Sequence, residues 1–354
     1  MEPKRIVVAC GGTGGHVFPG LAVAQELRLR GHAVDVWFSG RAVERSTLCD
    51  WDGPVFLTGA RQLSVRTLPQ TLNAFFRCAR ELKRRRPDAL LAMGSYTSLP
   101  PVVAARLANV PILLHEANAV PGKAVEVLSG MAELTAISFE ETAAWMPRRK
   151  TVFTGLPVRQ ELIGKPRFDE IPEGMFTVLV TGGSQGARRV NRLVTQAFCL
   201  LQQSGSGEFA VLHQSGAADE ARVRQTYEEA GVWARVRAFE PEMGRAYASA
   251  DLVVCRAGAS TCFELCLLGK PALMIPLPSA VRNHQFLNAS ALARSGGVDV
   301  GIEKELSARS IMRYVQNKMR TPACLMHMGE ALKALAHPAA AQRVADALES
   351  LSEA

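Results

Sequence analysis

Three short stretches combine residue types that do chemistry with a spacing that would let them do it. In "ACGGTGGHVFPG", residues 9–20, Gly11, Gly12, Gly14 and Gly15 lead directly into His16. Glycines lack a Cβ, so backbone N–H groups in such a loop can approach an anion or a crowded sugar. The histidine that ends it carries an imidazole whose ordinary pKa, about 6.5, suits proton transfer near neutrality. In "CRAGASTCFE", residues 255–264, small residues keep a helix N-terminus open, where N–H groups and the helix dipole suit a diphosphate. Glu264 falls one turn later, where a carboxylate can accept from both hydroxyls of a ribose. Thr261-x-x-Glu264 is equally the pattern of a capping box, and spacing alone leaves the two level. In "LLHEAN", residues 113–118, a strand runs into His115 and Glu116.

Two familiar phosphate loops are excluded. A dinucleotide fingerprint starting at Gly12 needs glycine at 17, which is Val17, and "VWFSG" runs on to Arg41 without the acid that would hold a ribose. No Gly-Lys-Ser/Thr follows either glycine cluster, so a Walker A loop is absent too. What remains is a strand, a glycine turn and a helix N-terminus, against which stands a plain tight turn capped by Thr13. No His/carboxylate cluster with metal spacing occurs, so nothing in the sequence requires a metal or another cofactor.

Short β-branched runs alternate with longer amphipathic stretches: "RIVVAC", "AVDVWFS", "ALLAM", "PILLHE" and "LTAIS". The rhythm restarts at "FTVLVTGG" and continues through "EFAVLHQSG", "ARVRAFE", "DLVVCRAG" and "PALMIPL". Such alternation means βαβ units and parallel sheets. The Pro- and Gly-rich stretch 154–174 reads as a linker. The expected class is α/β, two doubly wound Rossmann-like domains facing a cleft, with each glycine cluster after its domain's first strand, where such folds bind ligands. The expected divisions are residues 1–160, residues 161–340, and a last helix, 341–354, that can return to the first domain.

A chain of 354 residues, 48% hydrophobic, has the material for two cores. Its formal net charge of +8 favours an anionic partner. Aromatics are sparse and not interleaved with basic residues, which argues against nucleic acid. The eight cysteines include no CxxC pair and sit in apolar surroundings, as in reducing compartments. No apolar run reaches the roughly 18–20 residues of a spanning helix, and "MEPKRIVVAC" is too short for a signal peptide. One segment, residues 66–86, sets Leu68, Leu72, Phe75 and Phe76 beside Arg77, Arg80, Lys83, Arg84, Arg85 and Arg86. That pattern suits either a helix packed on the sheet with a solvated basic end or one lying on an anionic membrane.

"GGTGGHVFPGLAVAQEL" closely resembles the opening of the bacterial MurG family, and the likeness continues in order through "HEANAVPG", "TGLPVR", "TGGSQGARRVN", "HQSG", "ADLVVCRAGASTCFEL" and "NHQFLNA". The resemblance spans nearly the whole chain. It implies the GT-B glycosyltransferase fold and transfer of N-acetylglucosamine from UDP-N-acetylglucosamine to the 4-hydroxyl of the muramoyl sugar of lipid I, with inversion. It also implies peripheral attachment to the cytoplasmic face of the cell membrane. By the same resemblance, Glu264 takes the ribose, Ala259, Ser260 and Thr261 line the nucleotide, and the backbone of Glu240 meets the base. Ser184 and Arg159 belong with the diphosphate, Gln285 with the transferred sugar, Asn118 with substrate, and Thr13, Gly14 and Gly15 with the approaching acceptor. His16 is the first candidate for the general base and Glu116 the second; His115 is read as structural. Departures gather on the acceptor side: Ala117, Leu156 and Ser95 replace residues usual in the family, and an asparagine usual after Gly122 is absent. The alternatives are a GT-B glycolipid synthase acting on diacylglycerol, a UDP-sugar 2-epimerase, and a catalytically silent UDP-sugar-binding scaffold.

Overall fold

A computed structural model describes residues 2–12, 14–41, 51–62, 64–183, 186–205 and 207–353. The chain divides into two compact units, residues 1–159 with 337–354, and residues 160–336.

The first unit is built on seven strands, β1 (Arg5–Ala9), β2 (Ala33–Phe38), β3 (Val55–Leu57), β4 (Ala89–Ala92), β5 (Ile112–Glu116), β6 (Leu134–Ile137) and β7 (Thr151–Phe153). They lie in the order β3-β2-β1-β4-β5-β6-β7, and every pairing is parallel. Helices cover both faces of such a sheet, so the central strands read as continuous apolar runs rather than as alternation. Ile6, Val7 and Val8, and Leu90 and Leu91, are all fully buried. The chain order reverses between β1 and β4. That switch point opens a crevice at the carboxyl ends of the strands, and the chain leaves β1 there through Gly11 and Gly12.

The first helix, Gly14–Leu29, follows that loop and keeps Pro19 and Gly20 inside it. A Cβ on Gly20 would lie 2.3 Å from Cys10 Cβ, so only glycine lets the helix sit this close to the end of β1. The last helix, Ala340–Leu351, packs on the first through Ala341, Val344, Ala345 and Leu348. Polar ties hold it as well: Arg30 reaches Asp346 and Glu349, and His32 Nε2 lies 2.8 Å from Glu349 Oε1. The helix Leu68–Arg85 turns Thr71, Ala74, Cys78 and Leu82 inward. Phe75 packs at the edge of the same core, whereas Leu68, Leu72 and Phe76 face solvent. Among the described residues no helix is long and apolar enough to cross a membrane.

The second unit repeats the plan with β8 (Phe176–Thr181), β9 (Phe209–Gln214), β10 (Ala234–Arg237), β11 (Leu252–Cys255), β12 (Ala272–Met274) and β13 (Val298–Val300). Their order is β10-β9-β8-β11-β12-β13, again all parallel. Its switch point lies between β8 and β11, the two strands that feed "TGGSQGA" and "CRAGAS". Cys255, Cys262 and Cys266 are buried beside it; burial pushes the thiols of Cys255 and Cys266 up to about 12, so they behave as small apolar residues. His213, in "HQSG", is likewise structural. It is buried between Tyr227 and Asn191, and desolvation pushes its imidazole down to about 3.

Candidate active site

In the first unit the site grows from two strand ends. His16 sits in the first turn of the helix Gly14–Leu29, and its Nδ1 lies 2.8 Å from the carbonyl oxygen of Met93, the residue after β4. A carbonyl can only accept. The contact therefore fixes the proton on Nδ1 and makes Nε2 the basic nitrogen. Gly14 and Gly15 form the start of the same helix, while Thr13 lies outside the described residues. Gly12 has φ +123°, and Thr97 Oγ1 donates to Gly11 O at 2.7 Å, which anchors the loop from the β4 side.

Beyond Met93 the backbone turns through Gly94 at φ +78° and Ser95 at φ 67°, ψ 159°. A Cβ on Gly94 would meet His115 O at 3.0 Å, so glycine is required there. Ser95 occupies a region of backbone space that is almost exclusively glycine's and costs about 1–3 kcal/mol for other residues. This gives the departure at Ser95 a physical meaning: the chain stores strain beside its glycine loop. Ser95→Gly should raise unfolding free energy by about 1 kcal/mol in urea denaturation. A variant no more stable than the parent would mean that Ser95 bears no such strain.

Glu116 ends β5 and is buried. Burial raises its carboxyl pKa, and the hydrogen bonds it accepts oppose that rise. Its Oε1 accepts from Asn118 N at 2.9 Å and Asn118 Nδ2 at 3.1 Å, and its Oε2 accepts from Gly122 N at 2.8 Å. Both oxygens thus close the loop that follows β5. Asn118 is drawn in with it, and its carbonyl accepts from Thr142 Oγ1 at 3.0 Å. Two of the acceptor-side departures, Ala117 and Leu156, are buried apolar side chains. His115 is fully buried and pushed down to about 4, first by desolvation, so it stays neutral. At the end of this unit the Arg159 guanidinium stacks 4.0 Å from the centre of the Phe18 ring.

The second unit presents the helix Ala259–Leu268, whose N-cap, Gly258, is extended at φ −67°, ψ 147° and makes no side-chain cap. Thr261 is therefore the third helical residue and Glu264 the sixth, and the capping-box alternative fails. Glu264 Oε2 instead accepts from the Tyr247 hydroxyl at 2.8 Å. Ser260 Oγ is buried in the first turn with no hydrogen-bond partner among the described residues. An orphaned hydroxyl at the positive end of a ten-residue helix is a natural donor for an anion. Asn288 Nδ2 reaches Ala257 O at 3.1 Å, tying the helix His284–Ala293 to the same loop. Gln285 lies in the first turn of that helix, and its Oε1 accepts from Leu277 N at 2.9 Å. Glu240 turns its side chain to Arg235 and to the N–H of Glu242, while its own N–H donates to Gln214 Oε1 at 3.0 Å. Ser184 lies outside the described residues.

The structure thus groups His16, Gly14 and Gly15 around the end of β4, and Glu116 with Asn118 after β5. In the second unit Ala259, Ser260, Thr261 and Glu264 share one helix, and Gln285 sits on a helix tied to its entrance. Sequence reasoning missed several supports. Phe18 beneath Arg159 lay inside the first motif, and Gln214 lay inside "HQSG". Tyr247 carried no signal, because nothing in its local spacing points to Glu264.

Comparison with known proteins bears on the family and the fold. Residues 6–137 match the glycosyltransferase family 28 N-terminal domain and residues 177–344 its C-terminal domain. The chain is 37% identical over 354 residues to a Geobacter metallireducens protein named UDP-N-acetylglucosamine--N-acetylmuramyl-(pentapeptide) pyrophosphoryl-undecaprenol N-acetylglucosamine transferase, covering 97% of each. The crystal structure of MurG from Acinetobacter baumannii superposes with a TM-score of 0.77 at 30% identity, covering 98% of this chain and 100% of that one. A UDP-GlcNAc 2-epimerase from Neisseria meningitidis gives 0.72 at 14% identity over 98% of this chain and 100% of its own, a likeness of fold alone. The two doubly wound domains are those of the GT-B fold, and the chain belongs to glycosyltransferase family 28 and, within it, to the MurG family of N-acetylglucosaminyltransferases.

Proposed function

We propose that the chain moves N-acetylglucosamine from UDP-N-acetylglucosamine to the 4-hydroxyl of the muramoyl sugar in undecaprenyl-pyrophosphoryl-MurNAc-pentapeptide, with inversion at the anomeric carbon. The bond between that carbon and the diphosphate oxygen breaks as the bond to O4 forms, and UDP leaves with the electron pair. The O4 proton goes to His16 Nε2. The observation that carries this reading is the His16 Nδ1 contact with the Met93 carbonyl, which leaves the imidazole in the tautomer a base needs. Glu116, with both oxygens already accepting from the backbone of its own loop, serves better as the organiser of Asn118.

On the donor side the helix Ala259–Leu268 offers its N-terminal amides and the Ser260 hydroxyl to the charge that develops on UDP. Glu264, steadied by Tyr247, takes the ribose hydroxyls; Glu240 offers backbone to the base; Gln285 holds the sugar. Gly14 and Gly15 give the acceptor close access to backbone.

The helix Leu68–Arg85 is the reading's membrane contact, at the cytoplasmic face. Leu68, Leu72 and Phe76 are exposed there, with Arg77, Arg80, Lys83 and Arg84 exposed along the same helix. Flotation with phosphatidylglycerol vesicles tests it. Phe76→Ser should lower the bound fraction several-fold relative to wild type, and unchanged flotation would remove this helix from the contact.

The reaction itself is tested by UDP release with and without a short-chain lipid I analogue. Release that depends on the acceptor supports transfer. Release together with an epimerised sugar, in the absence of acceptor, would point to the 2-epimerase alternative.

A further inference from the structure

Glu303 lies just beyond β13 and takes no part in the site described so far. It is a buried carboxylate, 9% exposed, at the carboxyl end of the donor-side sheet. Its Oε2 lies 2.5 Å from Arg256 Nη2, and its Oε1 lies 3.5 Å from Arg189 Nε. Arg189 also donates from Nη2 to the Glu303 carbonyl at 3.3 Å. Among the described residues Oε2 accepts no hydrogen bond, and Arg256 holds it as an ion pair. Two buried charges placed in this way are costly to separate, because either one left alone loses its compensation.

The other end of Arg256 shows what the pair holds. Arg256 Nη1 donates to Ile275 O at 3.0 Å and to Pro276 O at 3.2 Å. Its backbone is pinned too, since Arg256 N donates to Thr181 O at 3.2 Å while Ile275 N donates to Cys255 O at 2.7 Å. A trans peptide is planar, with C=O and N–H pointing in opposite directions. Fixing the Pro276 carbonyl therefore fixes the direction of the Leu277 N–H in the same peptide unit. That N–H is the group that donates to Gln285 Oε1 at 2.9 Å. With Oε1 accepting this bond, the group the amide has left to offer is its NH2, a donor suited to sugar oxygens.

We propose that Glu303 and Arg256 are positioning residues for the transferred sugar. The ion pair sets the Pro276–Leu277 peptide, and the peptide orients the Gln285 amide so that it donates to an acceptor oxygen of the N-acetylhexosamine. This rests on the reading of Gln285 as the residue that holds the sugar. Neither Glu303 nor Arg256 touches the substrate, and their effect passes through the peptide.

Calorimetric titration of the full chain with UDP-N-acetylglucosamine and with UDP alone tests the relay, because only the first ligand carries the sugar. Gln285→Ala should weaken UDP-N-acetylglucosamine about tenfold and UDP less than about twofold, as for one lost hydrogen bond. Glu303→Gln keeps the shape and removes the charge, and should give about a fivefold loss for the sugar nucleotide with UDP again nearly unchanged. Added to Gln285→Ala, it should cost less than about twofold more, since both act on one contact. Glu303→Asp should recover part of the loss, and it serves in place of Glu303→Gln if that variant does not fold. Equal losses for UDP and the sugar nucleotide, no loss at all, or losses that simply multiply would each overturn the proposal. If Gln285→Ala itself fails to separate the two ligands, the assignment of the sugar to Gln285 is what fails, and the relay falls with it.

Discussion

His16→Ala is expected to lower turnover by about 100- to 10,000-fold, the range spanned by removal of a positioned general base. The Michaelis constant for UDP-N-acetylglucosamine should change little, because the donor groups belong to the other unit. The expectation follows from one contact. The Met93 carbonyl holds the proton on Nδ1, and Nε2 is then the basic nitrogen without a change of tautomer. His16→Gln, which can keep the contact with Met93 but has no basic nitrogen, should be as slow as His16→Ala. Steady-state kinetics with saturating acceptor reads both variants. If His16→Ala keeps near-normal turnover while Glu116→Gln abolishes it, the base is Glu116 and the tautomer argument is wrong.

Glu264→Ala should raise the Michaelis constant for UDP-N-acetylglucosamine by about 10- to 100-fold, with a smaller effect on turnover at saturation. A hydrogen bond to a charged acceptor contributes about 1.5–3 kcal/mol, and each 1.4 kcal/mol is tenfold in affinity. Tyr247→Phe should fall between wild type and Glu264→Ala, because it removes the hydroxyl that donates to Glu264 Oε2 but not the carboxylate. Competition with 2′-deoxy-UDP separates the ribose role from a general weakening. Wild type should prefer UDP over its deoxy analogue, and Glu264→Ala should lose that preference. A variant that still discriminates would place the ribose elsewhere.

These two residues also show what a sequence reveals and what it hides. The parallel sheets were legible because strands buried on both faces must be apolar throughout, so β1 and β8 stand out as "RIVVA" and "FTVLVT". The glycine loops were legible for the same local reason, since a chain that turns from strand to helix beside a ligand needs residues without Cβ. Glu264 was ambiguous because spacing does not say where a helix begins. Only the cap at Gly258 shows that Thr261 is already inside the helix and that no capping box forms. His16 was visible as a residue, but its tautomer depends on Met93, which is 77 positions away. The same limit hid Tyr247 and Gln214, whose partners are brought close by sheet order and not by sequence. Ser95 is a middle case: the substitution was visible beside Gly94, yet its meaning needed the backbone angles. Residue roles at Thr13 and Ser184 rest on motif position alone, since both lie outside the described residues.

The measurement closest to the central claim is transfer of radiolabelled N-acetylglucosamine from its UDP donor to a short-chain lipid I analogue, followed by analysis of the linkage formed. The reading predicts a labelled lipid product carrying the sugar in β linkage on the 4-hydroxyl of the muramoyl residue. UDP-N-acetylglucosamine that binds but never appears in lipid would contradict it and leave a silent binding scaffold. A product with α linkage would contradict the single displacement on which the role of His16 depends.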